Sequence, residues 1–237
     1  TPSKVFLGEL DFYTSLRFKR SWQGVGEFEI HIIGSQPYRP ELYAENNLIM
    51  LDDDVQHAGI IRRTELILSN NNLEIIIQGQ NLDGILSQRI VLPYEGEANG
   101  GYFCIPKKES ATSQVEPVAA ETIIKEFVSS NADNPRSMFL SIAEDMERGM
   151  KTVWMSRYEP LDEVLHDICE YTDMGYEVSI VPGSNITQDY GFDVIVGVDR
   201  TEGQNENSRV LMSLEFDSIA DIHYTMDTTS YRNVASA

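Results

Sequence analysis

Apart from its carboxylates, this sequence has few side chains that could handle protons, metals or nucleophilic attack: four His (His31, His57, His166, His223) and two Cys (Cys104, Cys169), beside 38 Asp+Glu. Glu163 and His166 have E-x-x-H spacing, which places both on one helical face and supplies half of a carboxylate-bridged dimetal motif. Such a centre needs a second E-x-x-H and two further Glu from neighbouring helices. A single copy therefore reads as an exposed helix pair. Asp52-Asp53-Asp54 could gather a hard cation, but a calcium loop spaces its ligands at alternate positions and adds a Gly and a later Glu. The run reads as a solvated acidic turn. His31 falls in a strand pattern and His57 in a turn, and both read as structural. Cys104 and Cys169 are far apart and in no C-x-x-C, which supports neither a disulfide framework nor a zinc site and suggests two buried free thiols.

The commoner catalytic signatures give no better lead. G-x-S-x-G does not occur. Gly24-Val25-Gly26 starts like a dinucleotide fingerprint, but the third Gly is missing and residues 27–33 are strand-like rather than helical. A carboxylate pair for glycoside hydrolysis depends on a separation of about 5 to 10 Å, and an acid-rich chain always offers candidate pairs. Asn185-Ile186-Thr187 fits a glycosylation acceptor, which matters only in a eukaryotic secretory protein. Trp22 and Trp154, with 11 Tyr and 9 Phe, could line a sugar or peptide groove, although most such residues fill cores. No catalytic residue, metal site or cofactor is expected.

The 237 residues allow one large domain or two small ones, and 41% hydrophobic with 24% charged residues is ordinary globular usage. A net charge of −20 argues against binding to a phosphate backbone or an anionic membrane. No apolar run approaches the ~20 residues that span a bilayer. Thr1-Pro2-Ser3-Lys4 leads into no signal-peptide core, and a first residue other than Met suggests processing or a boundary within a longer product.

Residues 1–92 read as β. Residues 4–13, 28–33, 48–51, 59–68 and 73–80 are short runs rich in Ile, Val, Leu, Phe and Thr, broken by Gly24, Gly34-Ser35 and Asn70-Asn71-Asn72. This spacing suggests a small barrel or sandwich, with the clearest hairpin across the Asn-rich turn. Residues 93–117 read as a long surface connection. Val118, Ala119, Ile123, Ile124, Phe127 and Val128 predict a helix with Pro117 in its first turn and Asn131 at its end. Leu161, Val164, Leu165, Ile168 and Cys169 predict a second helix after Pro160, with Gly175 as its left-handed cap. Between the helices, residues 138–143 suggest a short strand and residues 151–157 are ambiguous. Residues 176–181, 192–199, 210–216 and 219–226 are further strand candidates, with Gly183-Ser184-Asn185 able to close a hairpin between the first two.

The expected fold class is α+β: small β-barrel or sandwich domains with a two-helix insertion between the β regions. Residues 1–92 would form an N-terminal barrel-like domain and 93–175 a loop and helical region. Residues 176–237 would be a C-terminal β region completing a second barrel-like domain. Acidity is uneven, with a net charge of −4 over residues 1–92 and −16 over residues 93–237.

Several segments recur in a familiar order. Ser21-Trp22 is followed by Gly24-Val25-Gly26-Glu27-Phe28-Glu29-Ile30, Leu48-Ile49-Met50, Gly59-Ile60-Ile61, Ile77-Gln78-Gly79-Gln80-Asn81-Leu82 and Leu86-Ser87-Gln88-Arg89-Ile90. Later come Ser156-Arg157-Tyr158-Glu159, Gly175-Tyr176, the run from Phe192 through Asp193, Gly197, Asp199 and Arg200 to Thr201, and Tyr231-Arg232-Asn233-Val234-Ala235. In this order and spacing the chain resembles, over nearly its whole length, a tail-hub family of long-tailed bacteriophages and prophages, related in architecture to baseplate hub proteins. The family-motif positions here are Trp22, Gly26, Phe28, Glu29, Gly79, Arg89, Arg157, Tyr158, Gly175, Tyr176, Asp193, Gly197, Asp199 and Thr201, all in structural roles.

The resemblance implies a non-enzymatic virion protein that needs no cofactor and forms a homotrimeric hub ring at the distal end of the tail tube. Its partners would be itself, the tail tube and the distal-tail and tail-tip or spike proteins, with DNA passing but not specifically bound and no membrane insertion. It would reside in the virion tail after assembly in the bacterial cytoplasm. Two other readings stay open: a carboxylate-dependent hydrolase acting on cell-wall polysaccharide, and a monomeric tail-associated module binding carbohydrate, cell wall or protein.

Overall fold

Alternation in the segment EFEIHII turns Phe28, Ile30 and Ile32 to one buried face and leaves Glu29 and His31 half-buried on the other, as the period of two in a strand requires. The computed structural model describes residues 6–33, 39–69, 72–93, 101–108, 114–132, 137–138, 140–181, 190–197, 213 and 223–226. Its largest sheet contains β1 (Ser15–Lys19), β2 (Glu27–Ile33), β3 (Leu48–Leu51), β4 (Asp54–Ser69) and β5 (Asn72–Asn81). They run antiparallel in the order β1-β2-β5-β4-β3, and the sheet curls into a half-barrel.

The expected hairpin is present, with Leu68 opposite Leu73 and Ser69 opposite Asn72; Asn70 and Asn71 lie outside the described residues. Asp52 and Asp53, at φ 51° and 57°, form the tight turn between β3 and β4. Carboxamide and carboxylate side chains tolerate that left-handed backbone better than most. His57, expected in a turn, lies instead within β4, where its Nδ1 is 2.6 Å from Asp54 Oδ2.

The first strand departs from expectation. Residues 6–13 are irregular, with Phe6 and Phe12 exposed, and the edge strand is formed by Ser15–Lys19. Leu16 and Phe18 supply the alternation that the edge of β2 can use, and Phe18 stacks on Phe28 with centroids 6.0 Å apart. Gly8, Glu9 and Asp11 interrupt the same pattern earlier in the chain.

The remaining elements are a 3-10 turn (Leu82–Gln88), β6 (Phe103–Ile105), β7 (Val118–Ala119), α1 (Ala120–Ala132), β8 (Leu140–Ile142), β9 (Lys151–Thr152), β10 (Trp154–Ser156), α2 (Leu161–Thr172), β11 (Met174–Ile180) and β12 (Tyr190–Val196). β12 is antiparallel to β11, as expected for that hairpin, and parallel to β8. β6 corrects the view of residues 93–117 as surface connection. Phe103, Cys104 and Ile105 are buried, they pair with β10, and Phe103 meets Phe127 edge-on at 4.8 Å. Three apolar residues are too few to show periodicity, so only the partner strand reveals them as an element.

Both helix boundaries also differ from the sequence reading. Val118 and Ala119 pair with β9, so Pro117 precedes a strand rather than starting a helix. The exposed first N–H groups of α1 are satisfied by backbone: Ala120 N donates to Met150 O at 3.0 Å and Glu121 N to Arg148 O at 3.2 Å. α2 ends at Asp173, left-handed at φ 55°, whose N–H donates to Cys169 O; Gly175 is already in β11. Of the last strand candidates, residues 210–216 lie outside the described residues except Ser213, and residues 223–226 are in no strand.

Two apolar clusters result. One joins Phe28, Ile30, Ile32, Ile61, Ile75 and Ile77 under the half-barrel. The larger contains Ala58 and Ile60 of β4 with Leu86, Phe103, Ile123, Phe127, Leu165, Ile168, Tyr176 and Phe192. β4 serves both because successive side chains of a strand point to opposite faces: Ala58 and Ile60 enter the larger cluster and Ile61 the other. Residues 1–197 form one compact unit and residues 198–237 a second, of which only Ser213 and residues 223–226 are described.

Phe28 fits only because Gly59 and Gly79 have no side chains: a Cβ would lie 2.6 Å from Phe28 Cε1 at Gly59 and 2.4 Å from Phe28 Cζ at Gly79. At Gly79 it would also meet Ile60 O at 2.2 Å. Gly79→Ala is therefore expected to cost about 1–3 kcal/mol by overpacking, read as a lower urea midpoint at unchanged slope.

Candidate functional site

The connection between β1 and β2 has no secondary structure, yet it is fastened at four points to α2 and β11. Arg20 pairs with Glu177 at 3.3 Å. Gln23 Nε2 donates to Cys169 O at 3.0 Å, and His166 Nδ1 donates to Gln23 O at 2.7 Å. Trp22 lies flat on the strand at Gly175, where a Cβ would be 2.7 Å from Trp22 O and 2.8 Å from the indole. Gly197 also borders the ring, 3.9 Å from Trp22 Cζ2 by the same measure. His166, singled out with Glu163 by its E-x-x-H spacing, thus braces this connection, while Glu163 is exposed.

Beside this clasp lies a cavity of about 70 Å³ whose wall includes Arg20, Trp22, Asn81, Asp83, Tyr176 and Glu177. Asp83 is only 7% exposed, and its Oδ1 accepts the Val178 backbone N–H at 2.7 Å. Burial pushes its carboxyl up to about 7; Glu177 adds to this, while the Val178 N–H and Arg20 oppose it. Asn81 Oδ1 and the Tyr176 hydroxyl are buried without a hydrogen-bond partner. Burial also raises the Tyr176 phenol, and its ring stacks on Phe192 with centroids 6.0 Å apart. Sequence reasoning passed over Asp83; the signal was a lone carboxylate inside the apolar run from Leu82 to Leu86.

A second constellation also went unread. Glu121 is fully buried in the first turn of α1, where Arg148 grips its carboxylate with Nε at 2.8 Å from Oε2 and a terminal nitrogen at 2.8 Å from Oε1. The Arg148 backbone N–H adds a bond of 2.9 Å, and Lys125 Nζ donates to Glu121 Oε1 at 2.7 Å and to Glu144 O at 2.6 Å. These bonds, led by the Arg148 guanidinium, hold the Glu121 carboxyl far below its ordinary range despite burial. Arg148 also donates to Val194 O at 2.9 Å, and Asp193 lies 3.1 Å from Lys125 Nζ. The network ties α1 to the segment before β9 and to β12, and such buried clusters hold geometry more than they add net stability.

The other motif residues take varied positions. Gly26 lets the chain pass Lys19 O and Asn81, atoms that a Cβ would approach to 2.2 and 2.3 Å. Glu29 accepts from Gln78 at 2.6 Å and lies 3.1 Å from His31 Nε2, while His31 Nδ1 is 2.8 Å from Glu74. Held between two carboxylates, Glu74 foremost, the imidazole is raised above its usual value. Arg89 Nε donates to Ala132 O at 3.1 Å, meeting the carbonyl end of α1. Arg157 lies over the rings of Tyr102 and Tyr158 at 5.0 and 5.6 Å, and Tyr158 has φ 60°. Asp199 and Thr201 lie outside the described residues. Cys104 and Cys169 are buried free thiols, the latter pushed up to about 12 by burial.

Among the described residues no group of three or more His, Cys, Asp and Glu is placed to hold a metal ion, and no helix is long and apolar enough to cross a membrane. The raised Asp83 carboxyl carries a pH dependence. Between its ordinary value of 3.8 and about 7, the folded protein keeps a proton that the unfolded chain releases, so stability falls as pH rises through that window. The loss from this group amounts to roughly 4 kcal/mol at most. Asp83→Asn, which retains an acceptor for Val178 N–H, is expected to flatten that part of the profile in urea unfolding at a series of pH values.

No curated protein sequence matches the chain at a significant level. Several solved structures are similar over part of their length. The Escherichia coli c3393 protein, a type VI secretion component with structural similarity to the T4 tail proteins gp27 and gp5, is 7% identical with a TM-score of 0.44, the match covering 76% of this chain and 45% of that one. A tail protein from Neisseria meningitidis MC58 is 14% identical at a TM-score of 0.38, covering 76% and 50%. The prophage tail protein gp18 from Listeria monocytogenes EGD-e is 8% identical at 0.43, covering 77% and 45%. The chain spans about half the length of these solved proteins. The family model for Siphovirus ReqiPepy6 Gp37-like protein matches residues 3–237, nearly the whole chain, in agreement with the long-tailed-phage resemblance of its sequence. The chain belongs to the Siphovirus ReqiPepy6 Gp37-like family.

Proposed function

We propose that this protein is a non-enzymatic structural component of a phage or prophage tail, a homotrimeric hub ring at the distal end of the tail tube that joins the tube to the tip and lets DNA pass. The observation that carries this reading is family membership over residues 3–237. Its partners are further copies of itself, the tube and the distal-tail and tip or spike proteins, and it resides in the virion tail. Residues 1–92, 93–175 and 176–237 are assigned as the successive regions of each subunit, an N-terminal barrel-like domain, a helical region and a C-terminal β region.

The charge distribution fits a conduit. Residues 93–237 carry a net −16, and a wall of like charge keeps a phosphate backbone from adhering. A closed ring also needs head-to-tail surfaces related by rotation. Light scattering after size exclusion is expected to give a mass near three protomers, and a monomer at every concentration, with or without the neighbouring tail protein, overturns the ring. Changing carboxylates of residues 93–237 to Lys is expected to slow DNA ejection, measured as dye-detected release from virions; unchanged ejection argues against an acidic lumen.

A further inference from the structure

We propose that the exposed cluster of Arg157, Tyr102, Tyr158 and Met155 is a docking site for the acidic, aromatic segment 6–13 of a second copy of this chain, so that each subunit holds the next head-to-tail. The assignment rests on the proposed ring, which supplies the second copy. Arg157 lies over the rings of Tyr102 and Tyr158, its guanidinium carbon 5.0 and 5.6 Å from their centroids. Contact with two rings orients the planar fork in advance, and a fork so held suits a carboxylate taken by two parallel N–H bonds. Among the described residues, however, no carboxylate pairs with this guanidinium and no oxygen accepts from it, in a chain with 38 Asp+Glu against 18 Lys+Arg. Tyr158 adds a second mark. Its backbone is left-handed at φ 60°, which a bulky residue rarely adopts, and its ring is 61% exposed, so packing among the described residues does not offset that conformation. Met155, two positions before Arg157, is exposed as well, and Tyr, Arg and Met are the residues that protein interfaces concentrate at their centres.

The occupant is argued from what the same chain displays elsewhere. Residues 6–13 form no helix or strand, and they leave Phe6 79% and Phe12 58% exposed, with Leu7 and Tyr13 exposed beside them. Glu9 and Asp11 stand among these side chains, both exposed, and neither has a basic partner among the described residues. Arg39, the base nearest Gly8, is taken by Glu41 at 3.3 Å. One surface thus carries an unpaired guanidinium amid aromatic rings, and the other carries unpaired carboxylates amid aromatic rings. They are opposite in charge and alike in their apolar surround, which is the complementarity that selects a partner and fixes its register. Rings closing around the ion pair exclude water from it, and there a guanidinium–carboxylate contact gains far more than on an open surface. A contact between two unlike patches is heterologous, and repetition by rotation closes it into a ring that uses both patches of every copy.

The test is sedimentation velocity of the full chain over a concentration series at ~0.1 M salt, where exposed charges still act over about 10 Å. Arg157→Lys, which keeps the charge and loses the fork, is expected to raise the concentration for half-assembly roughly tenfold. Arg157→Glu is expected to leave a monomer, as is Glu9→Lys combined with Asp11→Lys, each with the circular dichroism spectrum of the unaltered chain because all three positions are exposed. The three changes together in one chain exchange the signs of the two surfaces and are expected to recover assembly, which a misfolded variant would not do. Assembly that is insensitive to Arg157→Glu overturns the docking site and leaves the ring standing, whereas an unaltered chain that is monomeric at every concentration overturns both. Loss of assembly with Arg157→Glu that the triple variant does not restore overturns segment 6–13 as the occupant.

Discussion

Trp22 can lie on β11 only because position 175 has no side chain, and this contact fixes how the half-barrel meets the helical part of the same compact unit. The connection carrying Trp22 has no hydrogen-bonded regularity of its own. Its place is set from outside, by an indole against bare backbone, by Gln23 donating to Cys169 O and accepting from His166 on α2, and by the Arg20–Glu177 pair. The exposed ion pair and the half-exposed imidazole each contribute little alone. The indole contact, although Trp22 keeps one part exposed, leaves no room for an added atom at position 175, so it sets the geometry within which the polar contacts form.

The same economy of space recurs inside the half-barrel, where Phe28 lies across from Gly59 and Gly79. Aromatic rings over glycines let neighbouring strands approach with one large side chain filling the room of three. Of the motif positions, Trp22 with Gly175 and Phe28 with Gly79 pack in this way. Arg89 meets the carbonyl end of α1, and Asp193 borders the charge network that anchors the other end of the same helix.

Two buried acids show opposite solutions to one electrostatic problem. Glu121 is stripped of water but receives a bidentate guanidinium, an ammonium and backbone N–H donors, and its charge is stabilised. Asp83 receives one backbone N–H, and its charge is resisted. The first is a completed internal joint between helix, loop and strand. The second is a buried carboxyl with one backbone donor, held near neutrality by desolvation.

Local pattern in the sequence determined the alternating strands of residues 28–33, 48–51 and 73–80, the Asn-rich hairpin, the Asp-Asp turn and the interiors of both helices. Each of these depends on side chains within a few positions of one another. The tertiary structure alone decided the elements that exist through a distant partner. The strand Phe103–Ile105 forms because Trp154–Ser156 pairs with it, Val118–Ala119 is strand rather than helix because Lys151–Thr152 lies alongside, and Ser15–Lys19 takes the sheet edge that residues 6–13 do not. Long range also explains why Asp83 and Glu121 escaped notice, since burial and the arrival of Val178 or Arg148 are contacts across 95 and 27 positions. Charge and spacing can be read from the chain itself, whereas desolvation is a property of what folds over it.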